Sequence, residues 1–142
     1  MSEKTDWKLF RDKIKNPRDR WDRIENGVGV GMPDTNYCIN GCEGWMEIKS
    51  PIEPARVQTP LFGSNHNLSQ DQKNWFKRQM LAGGRAYIMI STDQRWILIH
   101  GKHADTVNDL TVQGLLSIAA WVSLKPVRDV SGWAKLREAL QR

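Results

Sequence analysis

Cysteine is nearly absent from this chain: Cys38 and Cys42 are its two thiols. Two are too few for a disulfide framework, and with no CxxC pair there is no zinc-site spacing. No apolar run approaches the roughly 20 residues that a membrane-spanning helix needs, so no membrane partner is expected. The opening Met-Ser-Glu-Lys-Thr-Asp is charged with no apolar stretch behind it, and this start predicts no secretory leader and a cytoplasmic setting. Internal repeats and low-complexity tracts are missing too. Gly27, Gly29 and Gly31 alternate but lack dinucleotide-fingerprint spacing; such glycines mark close neighbours or unusual dihedrals. His66, His100 and His103 have no nucleophile beside them in the chain.

What is there is an ordinary globular composition. The chain has 142 residues, 39% hydrophobic and 26% charged, with a net charge of +5. That length suits one domain with its own core. A basic balance is compatible with a polyanionic partner but favours one only slightly.

Trp7, Phe10 and Ile14 predict a first helix. Asn16-Pro17 reads as a helix start, which predicts a second short helix from Pro17 towards Glu25, with Trp21 and Ile24 on its apolar face. Residues 33–49 read as a hairpin turning at Asn40-Gly41, the strongest short turn signal. Residues 50–67, with Pro51, Pro54 and Pro60, form a long irregular loop, and loops of that length are often functional. Ser69 to Leu81 is a helix opened by a capping box, Ser69-x-x-Gln72, and closed by Gly83-Gly84, with Trp75, Phe76 and Met80 as its buried positions. Strands follow at Ala86 to Ile90 and Trp96 to Ile99. Leu115, Leu116, Ala119 and Val122 predict a helical stripe. Ser131 starts a last helix carrying Trp133, Leu136 and Leu140. The segment from about 105 to 142 is thus expected as a helical extension of a core spanning about 25–100.

The residues that carry chemistry are Asp34, Glu47 and Lys49. With Asn40-Gly41 as a two-residue turn, Ile39 pairs with Cys42, and outward counting sets Cys38 against Glu43, Asn36 against Trp45 and Asp34 against Glu47. Directly opposed residues share a face, with beta carbons about 5 Å apart, and Lys49, two residues on, shares it with Glu47. A lone Glu-x-Lys is most often a surface ion pair. Here it alternates with apolar Met46 and Ile48 on a predicted central strand, and Pro33-Asp34 is set opposite. Paired carboxylates repel unless a cation relieves them. Magnesium prefers oxygen donors and binds through one or two carboxylates plus water. Such a metal activates water and stabilises charge on a scissile phosphate, and Lys49 is placed to orient that water or neutralise the phosphate.

The ordered set Gly31-Met32-Pro33-Asp34, Trp45-Met46-Glu47-Ile48-Lys49-Ser50-Pro51, Leu68-Ser69-x-x-Gln72-x-x-Trp75 and Gly83-Gly84 before an apolar strand resembles the VRR-NUC branch of the PD-(D/E)XK nucleases, over about Glu25 to Ile99. The resemblance implies an α/β fold with a mixed sheet flanked by helices. It implies magnesium (manganese as a substitute) held by Asp34 and Glu47, with Lys49 catalytic. It further implies Glu25 as a third acid at the metal, a residue that reads equally as an exposed helix-end carboxylate, and Gln72 as a hydrogen-bonding residue of the site, although the capping box explains Gln72 without any function. Stand-alone members resemble Holliday-junction resolvases, so the implied substrate is branched duplex DNA, cut by a homodimer in a bacterial cell or phage-infected host. Arg56, Lys73 and Arg78 are expected to track phosphates. The expected dimer contact is either the Leu115–Val122 stripe or Leu61 and Phe62. A less selective nickase or end-processing nuclease, and a nucleic-acid-binding module with a vestigial site, are the alternatives.

Overall fold

The computed structural model describes residues 3–24, 30–63 and 66–142. Its centre is a six-stranded mixed sheet whose strands lie in chain order: β1 (Arg20–Arg23), β2 (Thr35–Ile39), β3 (Cys42–Lys49), β4 (Ala86–Ser91), β5 (Arg95–His100) and β6 (Trp121–Leu124). Neighbours are antiparallel except β3 and β4, which run parallel. A parallel pair needs a crossover, and residues 50–85 supply it, carrying the long loop and helix α2 (Gln70–Leu81).

Alternation along the central strands divides the interior into two cores. Met46, Ile48, Tyr87, Met89, Trp96 and Leu98 point to one face, where helix α1 (Glu3–Ile14) packs Trp7, Phe10 and Ile14 and helix α4 (Gly132–Ala139) packs Leu136. Ala86, Ile88, Ile90, Ile97 and Ile99 point to the other, under Phe76 of α2, Leu115 of helix α3 (Val112–Ile118) and Leu61, Phe62 and Leu68. Strand β4 is buried at every position, which is why its sequence is a continuous apolar run rather than an alternating one.

One expected helix is replaced by a strand, and another ends early and gives way to one. Residues 17–24, the described part of the expected second helix, do not continue Asn16-Pro17 as a helix. The Asp19 amide donates to the Asn16 carbonyl and the Asn16 amide donates to Asp19 Oδ2, both at 3.0 Å, closing a turn. Arg137 of α4 grips the Asp19 carboxylate. From there Arg20–Arg23 pairs with β2, its buried Trp21 stacking on Tyr37 at 5.1 Å. Likewise the stripe through Leu115 and Leu116 ends at Ile118. Ala119 is extended, the Ala120 amide donates to the Leu98 carbonyl, and Val122 lies in the edge strand β6. The 105–142 segment therefore adds a strand to the sheet as well as helices. In both places a four-residue edge strand takes its hydrogen bonds from a neighbour, which no local pattern announces.

The other elements follow their local signals. Both residues of the Asn40-Gly41 turn have positive φ, 51° and 80°, as a type I′ hairpin requires. At α2 the Ser69 hydroxyl accepts from the Gln72 amide, and Gln72 Oε1 accepts from the Ser69 amide at 2.9 Å. Phe76 is the one fully buried residue of that helix, while Trp75 and Met80 are half-buried against the same core. At α4, Ser131 occupies the cap position but its hydroxyl donates to Asp129 rather than capping the helix.

Candidate active site

The hairpin register matches the count made from its turn. Ile39 faces Cys42, Cys38 faces Glu43, Asn36 faces Trp45 and Thr35 faces Met46, with no bulge at Gly44. One step further out Asp34 comes opposite Glu47, and the Asp34 amide donates to Glu47 Oε1 at 3.3 Å. On the other side the Asp34 carbonyl accepts from the Ile24 amide at 2.6 Å. Asp34 is thus held through its own amide and carbonyl, by the Glu47 side chain on one flank and the Ile24 backbone on the other. Lys49 Nζ lies 3.5 Å from Glu47 Oε2. The strand alternation that buries Met46 and Ile48 in one core turns Glu47 and Lys49 to the opposite face, beside α2.

Glu47 is only 3% exposed. Burial pushes its carboxyl up to about 8, and the neighbouring Asp34 charge adds to the rise; Lys49 opposes it. A single ammonium does not offset the desolvation of one carboxylate with a second beside it. The donor set is two hard oxygen groups, one deeply buried, with an electrostatic demand for more positive charge. That set suits magnesium, which completes its shell with water. Among the described residues no cluster of three or more His, Cys, Asp and Glu side chains forms. Glu25, the expected third acid, lies outside the described residues, as do Gly27 and Gly29.

Helix α2 is brought to the site by Gly31. Its φ is +78°, and a beta carbon there would lie 2.2 Å from the Asp71 carbonyl oxygen and 2.7 Å from the Gln72 amide nitrogen. The first turn of α2 thus rests on the backbone three residues before Asp34. This sets Gln72 near the hairpin, with its Oε1 engaged by the Ser69 amide. Ser69→Ala is expected to cost about 1 kcal/mol, read as a fall in the denaturant midpoint at unchanged m.

The basic residues expected to track phosphates are spread out. Lys73 lies with Lys77 and Lys102 around a hollow of about 170 Å³. Arg56 is exposed in the long loop, where it lines a larger groove, and Arg78 is exposed elsewhere on α2. Lys77 and Lys102 were not singled out in the sequence; the i,i+4 spacing of Lys73 and Lys77 was the available signal. Leu61 and Phe62 are 3% and 5% exposed, so they are core residues and offer no dimer contact. Cys38 and Cys42 are free thiols.

A second polar cluster lies behind the strand end that carries Lys49. Ser50 donates to Asp6 Oδ2 at 2.6 Å, and Asp6 Oδ1 is buried without a hydrogen-bond partner. Lys125 donates to Ser91 and to the Thr92 carbonyl and sits 4.4 Å over the Trp96 ring.

No protein-family model and no curated protein matches the chain. Among solved structures it is similar to Hjc, a Holliday junction resolvase from the archaeal hyperthermophile Archaeoglobus fulgidus. The two share 18% identity over 70% of this chain and 75% of that one, with a TM-score of 0.47. The resemblance to the VRR-NUC branch rests on its ordered motifs. No helix of the described residues is long and apolar enough to cross a membrane.

Proposed function

We propose that this chain is a divalent-metal-dependent nuclease that hydrolyses phosphodiester bonds in DNA. The observation that carries the reading is the buried Glu47, set opposite Asp34 and within ion-pair reach of Lys49. A deeply buried carboxylate with a half-buried one beside it is a standing cost to the metal-free fold, and a bound cation removes that cost. Asp34 and Glu47 would hold magnesium or manganese, with Glu25 as a further candidate ligand. The metal, when bound, supplies an activated water and a counter-charge for the scissile phosphate. Lys49 brings a fixed positive charge to the same face, where it neutralises charge developing on the phosphate oxygens. Glu47 keeps Lys49 oriented through their ion pair. The net charge of +5 favours a polyanionic substrate.

Branched, Holliday-junction-like DNA and a homodimer belong to the same proposal, supported by the motif resemblance, which is an analogy. A symmetric junction needs two sites at a fixed separation, and a two-fold dimer supplies them. With Leu61 and Phe62 in the core, the large apolar residue left exposed in the expected contact region is Val122, with Leu124 near it on the outer strand β6, at 40% and 64% exposure.

The test is incubation with plasmid and with a four-way junction, with and without magnesium, paired with solution mass by light scattering. Magnesium-dependent junction cutting by a dimer is the expected result. A monomer that cuts linear duplex equally is a general nickase or end-processing nuclease. Salt-sensitive binding without cleavage by freshly purified protein in magnesium or manganese identifies a binding module with a vestigial site.

Lys49→Ala is expected to slow cleavage by about 10²–10³-fold, while metal affinity, read by calorimetry, stays within a few-fold. Gln72→Ala is expected to slow cleavage about tenfold, and Ser69→Ala to leave it near wild type although both lose the cap. Equal cleavage by those two variants would restrict Gln72 to capping.

A further inference from the structure

A groove of about 410 Å³ opens between the long loop and α3. Its walls are Pro54 and Val57 on the loop side and Val112 and Leu116 on the helix side, with Gln113 and Arg56 adding polar groups. The floor is charge-neutral: Arg95 is held by both oxygens of Glu53 at 2.9 and 3.2 Å. Glu53 is further fixed by the Thr92 hydroxyl, which donates to it at 2.6 Å, and by its own amide, which donates to Asp93. That network anchors the root of the loop, and the Leu61 amide anchors its far end by donating to the Leu110 carbonyl. The groove is therefore pre-formed. Arg56 has no ion-pair partner among the described residues, so the lining carries two cations against one anion.

The groove shares a sheet face with the candidate active site. Lys49 pairs with Ile90, and Ile90 pairs with Ile97; side chains in register share a face, and Arg95 is two residues from Ile97. Strand spacing and rise put Arg95 roughly 12 Å from Lys49 in the plane of the sheet. That span is roughly two to four nucleotides of a DNA strand.

We propose that this groove receives one unpaired base of the bound DNA, a few nucleotides from the bond to be cut, with Arg56 on the adjoining phosphate. The inference rests on the nuclease reading only in taking DNA as the ligand. The chemistry of the lining fits such an occupant. Apolar walls accept the faces of a base, Gln113 offers an amide to its edge, and the unpaired guanidinium matches a phosphate. A paired base cannot enter without leaving its stack, and unpaired bases at a branch enter at least cost. Branched DNA would then be distinguished from duplex within each copy of the chain, independently of any dimer.

The probe is a branched oligonucleotide with 2-aminopurine at successive unpaired positions beside the branch, mixed with the full chain in EDTA so that no cutting intervenes. Stacking quenches 2-aminopurine, and none of the described residues lining the groove is aromatic, so the fluorophore should brighten at one or two adjacent positions. Arg56→Ala and Leu116→Trp should each weaken binding of the branched probe about tenfold and abolish the brightening. Binding of fully paired duplex should be nearly unchanged in Leu116→Trp and should fall less than that of the branched probe in Arg56→Ala, which loses a phosphate contact. Leu116 is half-buried, so Gln113→Ala, on the exposed side, serves where Leu116→Trp fails to fold, and should weaken the branched probe severalfold. Brightening at no position, or unchanged affinity and brightening in Arg56→Ala and Gln113→Ala, would overturn the inference. A chain that cuts DNA without a positional response loses this pocket and keeps the nuclease reading. A chain that brightens the probe but never cuts keeps the pocket and loses that reading.

Discussion

Glu47→Gln should abolish cleavage, by at least about 10³-fold, and at the same time make the metal-free protein more stable at pH 8. The two effects share one cause. The substitution removes a ligand charge while keeping the side chain's shape, so the metal loses a donor that neutral amide oxygen replaces poorly. The same charge is a liability to the fold. Glu47 is 3% exposed, its carboxyl is raised from an ordinary 4.5 to about 8, and burial and then Asp34 are the causes. Between those values the folded chain keeps a proton that the unfolded chain releases. Folded-state proton binding exceeds unfolded-state binding there, so stability falls as pH rises. The contribution of the neutral carboxyl is complete below about 4.5 and is gone once pH has passed about 8. At about 1.4 kcal/mol per pH unit, the loss is of the order of a few kcal/mol.

Thermal melts in EDTA from pH 5 to pH 8.5 check this by difference. The wild-type midpoint should fall relative to Glu47→Gln as pH rises, with the widest gap near pH 8. Magnesium should close that gap by stabilising the wild type alone, and more strongly at pH 8 than at pH 6, since the ion displaces the proton. A constant gap across the range, or a Gln variant that still cuts DNA, would remove Glu47 from the centre of the site. The exchange of stability for a poised ligand is a common feature of functional sites.

The hairpin that holds Glu47 could be read from the sequence because its determinants are local. Asn40 and Gly41 both take positive φ, that turn allows one register, and the register carries Asp34 to Glu47. The capping box at Ser69 and Gln72 was readable for the same reason. The two edge strands were not. Arg20–Arg23 follows a strong helix-start signal, and Trp121–Leu124 follows a real helix whose apolar spacing runs on into it. Each is four residues long, too short for alternation to outweigh what precedes it. What fixes them is pairing with β2 and β5, a contact no window contains. The burial of Leu61 and Phe62 was hidden likewise: a loop's side chains reveal nothing of which core they reach until the crossover is laid on the sheet. The groove beside Arg95 joins the loop, β5 and α3, three segments that only the fold brings together.

Gly31→Ala should be the most damaging single-methyl change near the site. Gly31 has φ +78°, a conformation that costs any other residue about 1 kcal/mol. The added beta carbon would also lie 2.2 Å from the Asp71 carbonyl oxygen and 2.3 Å from its carbon. These are backbone atoms in the first turn of α2 and cannot swing aside as a side chain would. The helix in turn is anchored by Phe76, fully buried in the second core. Either α2 or the segment leading to Asp34 has to move, at an overpacking cost of about 1–3 kcal/mol. A midpoint fall of about 10 °C is the expected sum. Gly83 separates the two contributions: its φ is +80°, at the other end of α2, with no atom within 4 Å of an added beta carbon. Gly83→Ala should therefore lose only the conformational part, about 1 kcal/mol, and cut DNA as the wild type does. Gly31→Ala, assayed well below its own midpoint so that it is folded, should still cut at least about tenfold more slowly, because Asp34 is displaced from Glu47. Equal stability losses in the two variants, with full activity in both, would show that the approach of α2 to Gly31 does not set the position of Asp34.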